Sequence, residues 1–138
     1  MRFMVIVKAT KDSEAGVLPT EQQLADMGRF NEELAKAGVM LAGEGLQASS
    51  KGARIKFSGS GRTVTGGPFP QTDQLVAGFW IIRARSKDEA IEWMKRAPFE
   101  DGEIEIRQIF EAEDFGPALT PELQDSQRRM REEITAKL

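Results

Sequence analysis

At 138 residues, 40% of them hydrophobic and 30% charged, the chain has the balance of one ordinary globular core with little to spare. Its net charge of −3 comes from 19 basic and 22 acidic residues mixed along the whole length, which argues against the clustered Lys and Arg of a nucleic-acid footprint. There is no Cys, His or Tyr, so disulfides, thiolate nucleophiles, Cys- or His-based zinc sites and imidazole acid–base work are excluded, and chemistry falls to Asp, Glu, Lys, Arg, Ser, Thr or an imported cofactor.

The opening run Arg2–Ala9 is apolar, β-branched and of strand length. Its apolar stretch, Phe3 to Val7, is far too short for a secretion signal or a membrane span, so a cytoplasmic protein with no membrane partner is expected. A polar loop from Thr10 to Leu18 follows. Thr20 then offers a helix N-cap with Gln23 as its reciprocal partner, because the side chain of each can satisfy the backbone N–H of the other. Leu24, Met27, Phe30 and Leu34 recur at helical spacing, and Gly38 stands where a left-handed C-cap belongs. Val39–Leu46 reads as a second strand, completing a β-α-β unit.

Ala53–Phe57 and Arg62–Thr65 read as a small hairpin around Gly59-Ser60-Gly61. The β-α-β pattern then returns. Leu75–Ala84 is a strand, Ser86 and Glu89 form a capping box, and Ala90, Ile91, Met94 and Ala97 make a buried stripe ending near Pro98. Glu103–Phe110 alternates charged residues with Ile104, Ile106 and Phe110, as a half-exposed strand does.

Tandem β-α-β units predict an α+β, ferredoxin-like split-βαβ fold: a four-stranded antiparallel sheet with both helices on one face. The other face needs a cover too. Phe3, Val5 and Val7 are apolar on one side of the first strand, Met4 and Ile6 on the other, and Leu75–Ile82 shows the same double character. Strands apolar on both faces are normally covered on both. A second copy of the same sheet is the economical cover, so a homodimer is expected. The tail is a separate element: Thr120-Pro121 starts a helix whose thin stripe of Leu123, Met130, Ile134 and Leu138 needs a docking surface to become buried.

Several motifs carry candidate chemistry. The glycines of Gly59–Gly67 lack the Lys and Ser or Thr of a phosphate loop and fit hairpin turns. Lys51–Phe57 lacks the stacking aromatics of an RNA-binding strand. Gly43-Glu44-Gly45 places a carboxylate between glycines in an apolar strand, next to Met40, Leu41 and Leu46. It reads either as an opening for close approach of a ligand or as a β-bulge that sends Glu44 to solvent. Gly67-Pro68-Phe69-Pro70 is a rigid turn that can aim the Phe69 ring at a pocket or staple the loop to the core. Phe79-Trp80 is core, with an indole N–H that needs a partner. Asp12, Glu14 and Asp73 are loop acids, ordinarily solvated, and also the kind of general acid–base this chain can offer.

These blocks resemble a family. Gly43-Glu44-Gly45-Leu46-Gln47 and Gly66-Gly67-Pro68-Phe69 resemble the GEGL and DGPF signatures of the YCII-related, DGPF-type proteins, including the YciI-like branch. The opening Arg2–Thr10, the strand Phe79–Ile82, the helix Ser86–Trp93 and Glu103–Arg107 fit in the same order. The resemblance covers roughly residues 1–111, leaving 112–138 as a C-terminal helical extension. It implies a dimeric α+β barrel, two ferredoxin-like subunits packed sheet to sheet with a cleft in each. It implies little about activity, although some relatives sit beside or are fused to extracytoplasmic-function sigma factors. Gly66 replaces the motif's Asp, and the His-Asp pair proposed for the YciI-like branch cannot form without His.

Two functions follow as expectations. The first is a cofactor-free enzyme acting on a small organic molecule, with Glu44 as base, Asp73 as a second polar group, and Phe69 and Trp80 as walls of a cleft to which Gly43, Gly45 and Pro68 give access. The second is a ligand-binding or regulatory dimer with the same pocket and no chemistry.

Overall fold

Alternation decides the centre of the sheet. In β1 (Arg2–Lys8) Phe3 and Val5 are buried while Met4 and Ile6 are only partly so. A computed structural model describes all residues from 1 to 138, and β1 lies between β5 (Val76–Arg83) and β6 (Ile104–Gln108), with β2 (Met40–Gly45) on the outer side of β5. Every adjacent pair is antiparallel. This is the split-βαβ arrangement expected from the tandem units, and the fold is ferredoxin-like α+β.

One face of the sheet is closed by two helices, α2 (Glu21–Lys36) and α3 (Lys87–Met94). Phe3, Val5, Trp80 and Ile82 meet Phe30 and Leu34 of α2 and Ala90 and Met94 of α3 in one buried cluster. The local chemistry that starts and stops α2 is as the sequence predicts. Thr20 Oγ1 accepts from the Gln23 N–H at 3.1 Å and Gln23 Oε1 accepts from the Thr20 N–H at 2.9 Å. At the other end Gly38 has φ +71°, and the Val39 N–H reaches the Leu34 carbonyl at 2.9 Å, a left-handed cap that lets the chain turn directly into β2.

The start of α3 differs from expectation in one half of its box. Ser86 Oγ accepts from the Glu89 N–H at 3.1 Å, but the Glu89 carboxylate turns one residue further back, to the Arg85 N–H at 3.3 Å and the Arg85 guanidinium at 2.8 Å. A charge-assisted pair outcompetes the neutral amide of Ser86. The polar loop after β1 also holds a turn of helix, α1 (Lys11–Glu14), closed by reciprocal Thr10 and Ser13 hydrogen bonds.

The opposite face of the sheet carries no helix of the ferredoxin-like unit. Cross-strand register sets Ala42, Ile81, Met4 and Arg107 in one row and Glu44, Phe79, Ile6 and Glu105 in the next. The apolar centre of this face is thus flanked by Glu44 at one edge and by Glu105 and Arg107 at the other. The hairpin β3 (Ala53–Ser58) and β4 (Gly61–Gly66) is a separate two-stranded sheet turned by Gly59-Ser60, with Gly59 at φ +56°.

The chain divides into two compact units, Met1–Gln108 and Ile109–Leu138. In the second, a kinked 3-10 turn (Ala112–Ala118) stacks Phe115 on Phe110 at 4.7 Å between ring centres. Helix α4 (Pro121–Ala136) begins at Thr120, whose side chain accepts from the Leu123 N–H. In the single chain its apolar stripe is uncovered: Leu123, Met130, Ile134 and Leu138 are each more than half exposed, so the docking expected of it would have to come from a second copy. Pairs at helical spacing hold α4 instead. Asp125 and Glu132 engage Arg128, Asp125 engages Arg129 at 3.3 Å, and Glu133 engages Lys137 at 3.1 Å. Arg128, Arg129 and Arg131 are exposed. No helix is long and apolar enough to cross a membrane.

Candidate functional site

The residues singled out in the sequence fall into three places. Trp80 is buried on the helix face, edge-on to Phe30 at 5.9 Å and to Phe99 at 6.2 Å. Its indole N–H donates to Asn31 Oδ1 on α2 at 2.9 Å, which supplies the partner its burial requires. Gly43 lies directly across from Trp80, and a Cβ there would come within 3.0 Å of the indole ring and 2.7 Å of Met40. That glycine makes room for the tryptophan. Gly45 has open space around it.

Glu44 pairs with Phe79, so its side chain belongs to the face opposite Trp80. Within one chain the sheet separates these two residues. The strand irregularity falls at Met40–Ala42, before the glycines, and Glu44 is exposed and makes no hydrogen bond or ion pair in the chain. Asp73 is likewise exposed, in the 3-10 turn Thr72–Gln74.

Phe69 and Pro68 belong to a third place, a knot of loops. The Glu14 carboxylate accepts from the Ser49 N–H at 2.9 Å and from the Ser49 hydroxyl, and Ser49 Oγ accepts in turn from the Phe69 N–H at 3.0 Å. The Arg54 guanidinium lies 3.9 Å over the Phe69 ring. Gly67, whose bond to Pro68 is cis, donates its N–H to the Gly52 carbonyl at 3.1 Å. The Ser49 hydrogen bonds hold the Glu14 carboxyl below the ordinary carboxylate range, against a smaller opposing effect of burial. A carboxyl lowered by folding stabilises the fold above its unfolded value, and that contribution is lost as pH falls through the lowered folded value. Glu14→Gln is therefore expected to lower the neutral plateau of the melting-temperature profile and flatten its acid limb, the two profiles converging as Glu14 takes up its proton. A mutant profile parallel to wild type down to pH 3 would show that Glu14 contributes nothing there.

None of these residues lines a cleft of the ferredoxin-like unit that sequence reasoning missed. It has a volume of about 630 Å³ and lies between α3, β6 and the loop that joins them. Val7, Ile91, Met94, Phe99, Ile104 and Ile106 make its apolar lining. Thr10, Lys8, Lys87, Lys95, Asp101 and Glu103 supply its polar groups. Lys8 is held to Glu105 at 3.2 Å and Lys95 to Glu92 at 3.0 Å, whereas Lys87 has no ion-pair partner in the chain. Lys8 and then Arg107 hold the Glu105 carboxyl below its ordinary range. The cleft exists because α3 stops after eight residues, about 12 Å, and the chain from Ala97 to Glu103 loops away around Gly102 at φ +88°. The signal in the sequence is Pro98 set so soon after Ser86. Chemically, the cleft offers an apolar floor with the Lys87 ammonium and the Asp101 and Glu103 carboxylates, none of them ion-paired in the chain, at its margin.

Comparison with curated proteins finds no match. Among solved structures, the chain is similar to 5-chloro-2-hydroxyhydroquinone dehydrochlorinase from Burkholderia phenoliruptrix, solved in complex with 2,5-dihydroxybenzoquinone. The identity is 18%, the match covers 82% of this chain and 98% of that one, and the TM-score is 0.40. The model of the YCII-related domain matches residues 1–113, and with most of its length so matched this chain belongs to the YCII-related domain family.

Proposed function

We propose that this protein is a homodimer that binds a small, mostly apolar organic molecule with an anionic end in the cleft between α3 and β6. The observation that carries the reading is the cleft itself. Its volume of about 630 Å³ falls in the range of small-molecule sites, and its lining sets an apolar floor of Ile91, Met94, Phe99, Ile104 and Ile106 against charged groups at the margin. Lys87 is the cleft's one cation without an ion-pair partner and would receive a carboxylate or similar group of the ligand, with Asp101 and Glu103, also unpaired, restricting that group to the Lys87 end. The homodimer is supported by the sheet face that bears Met4, Ile6, Phe79 and Ile81, four apolar side chains left partly exposed in the single chain.

Trp80 provides the readout, because Phe99 both touches its ring and lines the cleft. Titration with 2-naphthoate is expected to change tryptophan emission saturably, with 2-naphthamide binding several-fold more weakly. Lys87→Ala should remove most of that preference, and Ile91→Glu should abolish binding of both. Equal affinities for acid and amide, unaffected by Lys87→Ala, would sink the anionic-ligand reading.

A second reading places chemistry at Glu44. It is favoured by a carboxylate that has no partner in its own chain and stands beside Phe79 on the face a second copy would cover. Covering would desolvate the acid and suit it to proton abstraction. Asp73, Phe69 and Pro68 would then act from the loops. Glu44→Gln should abolish turnover of any substrate found while leaving its affinity within a few-fold; retention of turnover would refute the assignment.

A further inference from the structure

The hairpin β3–β4 makes ladder hydrogen bonds with itself alone. All twelve residues of its strands are exposed. Its register puts Ile55 opposite Val64 and Phe57 opposite Arg62 on one face, and Arg54 opposite Thr65 and Lys56 opposite Thr63 on the other. The hairpin is therefore amphipathic, yet Ile55, Phe57 and Val64 are 55%, 67% and 68% exposed. Such alternation is the pattern of a half-buried sheet, and a lone two-stranded hairpin is at best marginally stable in water. That face has the make-up of a docking surface.

Charge favours a second copy of this chain as the occupant. From Lys51 to Gly66 the chain carries four cations, Lys51, Arg54, Lys56 and Arg62, and no acid, which leaves 15 basic and all 22 acidic residues to the rest. The arm and the rest of the chain thus carry opposite net charge, which attracts an arm to a second copy, with Arg62 on the apolar face beside Phe57 and Arg54 and Lys56 on the other. The Lys51 and Lys56 ammonium groups have no ion-pair partner in their own chain. The root of the arm is also fixed in advance. The Gly67 N–H is bonded to the Gly52 carbonyl, Arg54 is stacked on Phe69, and Phe69 is tied through Ser49 to Glu14. A rigid root lowers the ordering cost of docking.

We propose that each arm docks through its Ile55–Val64–Phe57 face on the acidic body of a second copy, so that two reciprocal arms clasp the dimer. The inference rests on the homodimer reading and adds to it a surface outside the four-stranded sheet. Two-fold symmetry makes the contact occur twice, so a loss in one arm is felt doubly in the association constant.

Sedimentation equilibrium of the full chain, with the doubly substituted Ile55→Ser, Phe57→Ser variant beside it, tests the proposal. Both side chains are exposed in the single chain, so the variant is expected to keep its fold and raise the dimer dissociation constant at least tenfold. Lys56→Glu should weaken the dimer further at low salt than at high salt. Because the chain has no Cys, Phe57→Cys carrying a polarity-sensitive thiol dye gives an independent readout: its emission should shift to the blue as concentration drives association. A wild-type dimer whose constant is unchanged by the arm substitutions, with a dye that stays water-exposed, would overturn the arm while leaving the homodimer intact. A wild-type monomer at tens of micromolar would overturn both. Blue shift on adding RNA, but not on raising concentration, would overturn the second copy as occupant.

Discussion

Ile6→Asp is expected to leave the protein a folded monomer at concentrations where the parent forms the proposed homodimer. Ile6 sits in a central strand of the helix-free face, opposite Phe79 on one side and Glu105 on the other. In the single chain it is partly exposed, so a carboxylate there remains hydrated and the helix-face core of Phe3, Val5, Trp80 and Ile82 is untouched. In a sheet-to-sheet dimer the same carboxylate would be buried among Met4, Phe79 and Ile81 of its own sheet and the apolar face of the second copy. An unpaired charge placed there costs at least about 3 kcal/mol, or more than a hundredfold in the dissociation constant. Glu105 does not help, since a like charge directly across the ladder is repulsive. Light scattering should report a single-chain mass at concentrations where the parent is paired, with an unchanged far-ultraviolet circular dichroism spectrum. A variant that remains dimeric would mean the helix-free face is not the interface.

That face was legible from the sequence because parity along a strand needs no partner: Met4 and Ile6 lie opposite Phe3 and Val5 whatever the register. The helix starts were legible for the same reason, since Thr20 and Gln23 act over three residues. Register was not. Whether Glu44 faces Trp80 depends on how β2 pairs with β5, and the irregularity at Met40–Ala42 shifts that pairing without a glycine or proline to mark it. The Glu14–Ser49 contact spans 35 positions, so no local spacing distinguishes Glu14 from Asp12 among the loop acids. The cleft beside α3 is a void, produced by where a helix stops, and no residue pattern names a void. The glycine signature reads equally as an opening for a ligand or as a bulge, yet Gly43 answers to the size of Trp80.

Gly67→Ala is expected to lower the melting temperature by about 10 °C or more, whereas the same change at the adjacent glycine, Gly66→Ala, should shift it by less than about 2 °C. A Cβ built on Gly67 would lie 1.7 Å from the Ser49 carbonyl oxygen and 2.6 Å from its carbon, and both are backbone atoms that cannot swing aside. A Cβ on Gly66 meets nothing within 4 Å. The Ser49 segment must therefore retreat in the first variant, and the Phe69 N–H, the Ser49 N–H and the Glu14 carboxylate lose their mutual hydrogen bonds together. Forced displacement of packed backbone with loss of linked hydrogen bonds costs about 2–3 kcal/mol, and each kcal/mol moves the transition of a domain near 100 residues by about 4 °C or more. Neither glycine has a positive φ, so the contrast isolates close approach from backbone conformation. The arm adds a second consequence: with its root loosened, Gly67→Ala should also weaken self-association at temperatures well below the transition. Equal behaviour of the two variants would show that Gly67 is not pressed against Ser49, and the knot that anchors Phe69 and the hairpin would have to be redrawn.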